Sequence, residues 1–149
     1  MGNSIQHSYL EVPLPDDWED ASQVIALGPE VDGFRPNLVF SQEPTRPGET
    51  PEQFAARQLP QLRAVLRGYD VVDEGLQRFG PNAGYLRHHT FHMDRGEIEQ
   101  LQFYVVLGGR CYTFTFTHLL GRLDSVRDIA EKMFRQARLT PRVAIEDDF

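Results

Sequence analysis

The chain has 149 residues, 40% of them hydrophobic and 25% charged, which fits one globular domain with its own core. A net charge of -7 excludes the basic face that nucleic acid or an anionic membrane surface would need. No apolar run is long enough to span a bilayer, and the opening MGNSIQHSYLEVPLP has neither the basic nor the apolar region of a secretory signal. Cys111 is the single cysteine, so no intramolecular disulfide forms, and a reducing compartment, the cytoplasm, is expected.

Short strands are predicted over residues 9–14, 23–27 and 37–42, separated by turn formers in PDDWEDAS and GPEVDGFRP. A helix follows, with Thr50 as N-cap, Pro51 in its first position and Gln53 closing a capping box. It is expected to stop at Gly68, and Pro60 inside it should kink or split it. Four more strands are predicted over 70–77, 84–93, 98–107 and 110–118. The last two form a hairpin turning at Gly108-Gly109, a pair that tolerates positive φ.

The closing helix is predicted over 126–137, capped by Asp124 or Ser125, with Val126, Ile129, Ala130, Met133 and Ala137 as its apolar stripe. The acidic tail 140–149 is expected to be loose, leaving a core of about 8–139 in a single domain. The fold class is therefore α+β: a mostly antiparallel twisted sheet of six to seven strands with two main helices.

The hairpin 101–117 is apolar on both faces. Leu101, Phe103, Val105 and Leu107 alternate with Gln102, Tyr104 and Val106, and neither set makes a water face. A two-sided hairpin needs a second covering layer, supplied by this chain or by something else. In its second strand Tyr112, Phe114 and Phe116 share one face, while Cys111, Thr113, Thr115 and Thr117 share the other. That threonine face would accept a partner closely.

Two glutamines stand in apolar company. Gln58 lies between Phe54 and Leu62 on a stripe of the first helix that also holds Val65, and Gln102 is followed on its face by Tyr104 and Val106. A buried primary amide without partners costs roughly 1–3 kcal/mol. Each glutamine therefore either bonds neighbouring backbone or faces a groove and offers its amide to a guest.

Signals for chemistry are weak. In HHTFH, His88 and His92 share a strand face ~13 Å apart, too far for one ion, and His88 and His89 point to opposite faces. A metal site would need a further ligand such as His118. Cys111 shows no neighbouring base, and no phosphate loop, HExxH or nucleophile elbow is present. No catalysis, metal or cofactor is expected.

The segments LEVPLPDDWEDAS, NLVFSQE, ARQL at 56–59 and GYDVVDEG, with the aromatic and threonine-rich hairpin and the closing helix, resemble the DcrB-related domain family. That resemblance covers about 9–139 and implies a PsbP-like fold. Within the family the chain looks most like the Eag chaperones of type VI secretion, which shield N-terminal transmembrane helices of PAAR- and Rhs-type toxin effectors and present them to the VgrG spike. The resemblance implies client contact at Gln58, Gln102 and Val39. In the second strand Gln23 stands where an apolar groove residue is expected, with Val24 and Ile25 beside it. With Ile25, Tyr104, Thr113 and Thr115 these complete the candidate groove, and a homodimer is expected.

Overall fold

A computed structural model describes residues 3–7 and 10–140. Strands β1 (Asn3–His7) and β2 (Leu10–Leu14) pair antiparallel as a separate two-stranded sheet. The main sheet holds β3 (Val24–Leu27), β4 (Asn37–Pro44), β5 (Asp70–Phe79), β6 (Asn82–Met93), β7 (Gly96–Leu107) and β8 (Arg110–Leu119). Its spatial order is β3-β4-β8-β7-β6-β5, antiparallel throughout. Helix α1 (Pro51–Val65) packs on β6 and β7, and helix α2 (Leu123–Gln136) packs on β5, β7 and β8. The α+β class, the six-stranded sheet and the two helices are as expected. The pair β1 was not. The expectation of a loose tail falls on residues 141–149, outside the described residues.

Both faces of the sheet are occupied because side chains alternate along each strand. Toward α2 project Leu101, Phe103, Val105, Phe114 and Phe116, and they close around Phe134, which is fully buried. Phe134 lies 5.4 Å from Phe103, 5.5 Å from Phe79 and 5.9 Å from Phe114, ring centroid to ring centroid. Burying one such ring contributes roughly 1.5–3 kcal/mol. Toward α1 project Tyr85, Tyr104 and Cys111, which pack under Phe54 and Ala55. Gly108 and Gly109, at φ 57° and 76°, turn the hairpin as the sequence suggests.

The capping box forms: Gln53 N donates to Thr50 Oγ1 at 3.1 Å and Thr50 N donates to Gln53 Oε1 at 3.0 Å. Pro60, however, does not split α1, which runs unbroken from Pro51 to Val65. It is exposed, as is Ala56 one turn earlier, so the carbonyl it leaves without a donor is open to water. Val65 leaves the expected stripe and is 70% exposed, past the reach of the sheet.

Helix α2 also departs from expectation. It begins at Leu123, and neither Asp124 nor Ser125 caps it; Ser125 Oγ instead donates back to the Arg122 carbonyl at 2.7 Å. Its buried face is Leu123, Ala130 and Phe134, with Val126 and Ala137 partly covered, while Ile129 and Met133 are exposed. The stripe is rotated because Leu123 and Phe134, outside or omitted from the predicted set, dominate the apolar contact.

A candidate binding groove on the sheet

The α1 face of the sheet is only partly roofed. Helix α1 covers β6 and the near side of β7, and beside it a groove of about 540 Å³ opens over β7, β8 and β4. Val39, Gln58, Gln102, Tyr104, Thr113 and Thr115 all line it, so six of the seven sequence-selected residues meet in one place. Ile25 does not line it. It pairs directly with Val39, which puts it on the same face one strand further out, where it is 58% exposed at the sheet edge. Gln23, just before β3, lines the groove instead.

Register explains the convergence. Direct cross-strand partners share a face, so one row runs Ile25, Val39, Thr115, Gln102, Arg87, Glu74 across all six strands. The next row holds Asn37, Thr117, Gln100 and His89. Thr117, on the threonine face expected to accept a partner, lines the groove too, as does Gln100, which the sequence did not single out. The signal for Gln100 was available, since it lies two positions from Gln102 on the same strand.

The floor is a hydrogen-bonded strip. Tyr104 OH donates to Gln102 Oε1 at 2.5 Å, and Gln102 Nε2 reaches Thr115 Oγ1 at 3.4 Å. Beside it, His89 Nε2 meets Gln100 Oε1 at 2.8 Å and Gln100 Nε2 donates to Thr117 Oγ1 at 2.9 Å. From the wall, Gln58 Nε2 donates to Glu43 Oε1 at 3.2 Å. Among the described residues Glu43 is the one charged side chain in the lining; Phe34, Val39, Phe54, Leu62 and Met93 supply apolar surface.

Under α1, past Gln102, the row reaches a fully buried arginine. Arg87 Nη2 donates to Ala55 O at 3.0 Å and to Glu74 Oε1 at 3.3 Å. Tyr85 OH also donates to Glu74 Oε1, at 2.5 Å. That bond and the Arg87 charge hold the Glu74 carboxyl below its usual range, while burial pushes the Tyr85 hydroxyl up to about 12. Burial likewise raises the Tyr104 hydroxyl and lowers His89 to about 4, so His89 is neutral.

The remaining candidates for chemistry are engaged elsewhere. His88 Nε2 lies 2.6 Å from Glu99 Oε2, and His92 Nδ1 lies 3.2 Å from Glu97 Oε1. The Cys111 thiol is buried and pushed up to about 12 by desolvation, far from a nucleophile's range.

A family model for DcrB matches residues 10–133. The chain belongs to the DcrB family. Among solved structures, the DcrB-family chain is similar to PA94 of Pseudomonas aeruginosa, a protein of unknown function, with a TM-score of 0.76 at 17% identity, over 96% of this chain and 99% of that one. It is also similar to LpqN of Mycobacterium tuberculosis, involved in cell envelope biogenesis, with a TM-score of 0.54 at 13% identity over 95% and 91% of the two chains. Cyanobacterial PsbP from Synechocystis aligns with a TM-score of 0.49 at 13% identity over 80% and 79%. At such identities the first two establish a shared fold, and a fold hosts many functions. No curated protein matches the sequence. No helix among the described residues is long and apolar enough to cross a membrane.

Proposed function

We propose that the chain is a non-catalytic chaperone that lays an apolar helix of a client protein in this groove and keeps it from water. One observation carries the reading: the groove pairs apolar walls with a floor of amides and hydroxyls that is polar and nearly uncharged. A helix made for a bilayer associates through close packing of small residues and through interhelical hydrogen bonds, and this lining offers both kinds of contact. Three strands about 4.8 Å apart make a floor on the order of 10 Å wide, the diameter of one helix. Covering apolar surface there returns ~25 cal/mol per Å².

The client suggested by the likeness to Eag chaperones is an N-terminal transmembrane segment of a PAAR- or Rhs-type type VI effector. On this reading the chain holds that segment in the cytoplasm, helps load the effector on the VgrG spike, and uses no metal or cofactor. A twofold pair of chains would enlarge the cradle.

The test is purification of the tagged chain from its native lysate without detergent, read by mass spectrometry, alongside Val39→Asp and Gln102→Glu. Support is a dominant partner with an apolar helix near its N-terminus, absent from both variants while their melting temperatures stay close to the parent. Partners lacking such a segment, or equal recovery by the variants, defeat the reading. A second reading is a module for a small apolar ligand or another protein, because about 540 Å³ also suits a small molecule. Native mass spectrometry of the purified chain would then show a bound small mass.

A further inference from the structure

We propose that buried Arg87 fixes the direction of the hydrogen bonds across the groove floor, so that Thr115 and Thr117 present hydroxyl protons and the groove selects a helix bearing hydrogen-bond acceptors. The inference rests on the helix-binding reading above. Two chains of bonds run across the sheet beside Arg87, which pairs with Gln102 and lies two positions from His89 on β6. In the first, the Tyr69 hydroxyl lies 2.7 Å from His89 Nδ1, His89 Nε2 lies 2.8 Å from Gln100 Oε1, and Gln100 Nε2 lies 2.9 Å from Thr117 Oγ1. In the second, Tyr104 OH bonds Gln102 Oε1 and Gln102 Nε2 reaches Thr115 Oγ1.

With the two amides oriented as they stand, each step has one sense. An amide oxygen only accepts, so His89 Nε2 carries the proton; a neutral imidazole then has a bare Nδ1, and Tyr69 must donate to it. An amide nitrogen only donates, so Thr117 and Thr115 accept, and each hydroxyl keeps its own proton for whatever lies above.

Reversing the chains would require both amides to flip and both phenol protons to turn away from His89 and Gln102. Arg87 opposes this. Its guanidinium carbon lies 5.9 Å from the Tyr104 ring centroid, and on β6 it shares a face with His89, the partner of the Tyr69 hydroxyl. The side chain is fully buried, and its Nε and Nη1 have no hydrogen-bond partner among the described residues. A guanidinium has donors and no acceptor, so a phenol proton aimed at it meets only repulsion, whereas a phenol oxygen is welcomed.

The spacing then defines the guest. Thr115 and Thr117 are two residues apart on β8, roughly 6.8 Å. Positions four apart on a helix rise about 6 Å. An apolar helix lying along β8, with acceptor oxygens at i and i+4, satisfies both hydroxyls.

Three synthetic apolar helical peptides with uncharged solubilising tails test this, differing at two positions four apart. One carries serine, one O-methylserine, which accepts without donating, and one norvaline, which has the same shape as O-methylserine and does neither. Serine and O-methylserine peptides are expected to bind equally, and norvaline about tenfold more weakly. Nitrogen NMR of His89 should show the proton on Nε2. Tyr69→Phe keeps the ring and should mix the His89 tautomers and shrink the preference for acceptors, with a lowered melting temperature because the buried His89 Nδ1 loses its partner. Equal binding of all three peptides, or binding of serine but not O-methylserine, overturns the donor floor and leaves the groove reading intact. An unchanged His89 tautomer and undiminished preference in Tyr69→Phe overturns the role of the relay. If no peptide binds, the groove reading falls and this inference with it.

Discussion

Gln58 on α1 already holds Glu43 on β4, Nε2 to Oε1 at 3.2 Å, across the mouth of the groove. A guest that bonds the Gln58 amide must share or displace this contact. Both side chains reach solvent, and a bond of this kind is worth roughly 0.5–1.5 kcal/mol. Glu43→Ala is therefore expected to tighten binding of an uncharged apolar helix about threefold to tenfold. Thermal melting should change little, since an exposed contact contributes little to the fold. Titration calorimetry on parent and variant checks both.

Acid should weaken the fold through His89. Burial lowers its folded value to about 4, below the ordinary 6.5, so between these the unfolded chain binds a proton that the folded chain refuses. The stability due to neutral His89 is thus complete above about pH 6.5 and is lost as pH falls toward 4, by roughly 3 kcal/mol in all. His118, also lowered by burial, acts in the same sense. Urea midpoints across that window should fall in the parent and fall less steeply in His89→Phe.

The end of α2 depends on a residue far from it in sequence. Asn82 Nδ2 donates to Phe134 O at 2.8 Å and to Ala137 O at 2.9 Å, closing carbonyls that the helix leaves open. Asn82→Ala leaves them buried and unpaired and is expected to cost about 1–3 kcal/mol in chemical denaturation. Asn82→Asp should cost at least as much, because a carboxylate cannot donate.

Cys111 should report on unfolding rather than on chemistry. With its thiol buried and raised to about 12, alkylation in native buffer is expected to be negligible, and labelling should follow the denaturation curve. Fast labelling of the folded chain would mean that the face under α1 opens locally.

The groove was legible where alternation carries the information. Gln102 and Tyr104 on β7, and Thr113 and Thr115 on β8, follow from a period of two, and Gln58 from its place between Phe54 and Leu62. Ile25 went astray because periodicity gives a face but not how far the roof extends. The split expected at Pro60 does not occur because its penalty depends on whether the freed carbonyl meets water, which is a property of the packed helix. Helix α2 was started late because no side chain caps its first turn. Arg87 could not have been found: an arginine in a strand normally reads as solvent-facing, and only the assembled sheet brings Glu74, Tyr85, Tyr104 and the Ala55 carbonyl around it.

The position of β8 has a consequence for synthesis. It is the last strand in chain order among the described residues, yet it sits between β4 and β7. As the nascent chain leaves the ribosome, β5, β6 and β7 can pair in succession, while β3 and β4 have no neighbour to dock on until residues 110–119 emerge. Closing β4 against β8 spans about half the chain, a long-range step of the kind that slows folding and exposes unpaired edges meanwhile. A chain arrested before β8 therefore has two unjoined halves, and the groove, whose floor has β8 as its middle strand, exists only once that strand has been laid in.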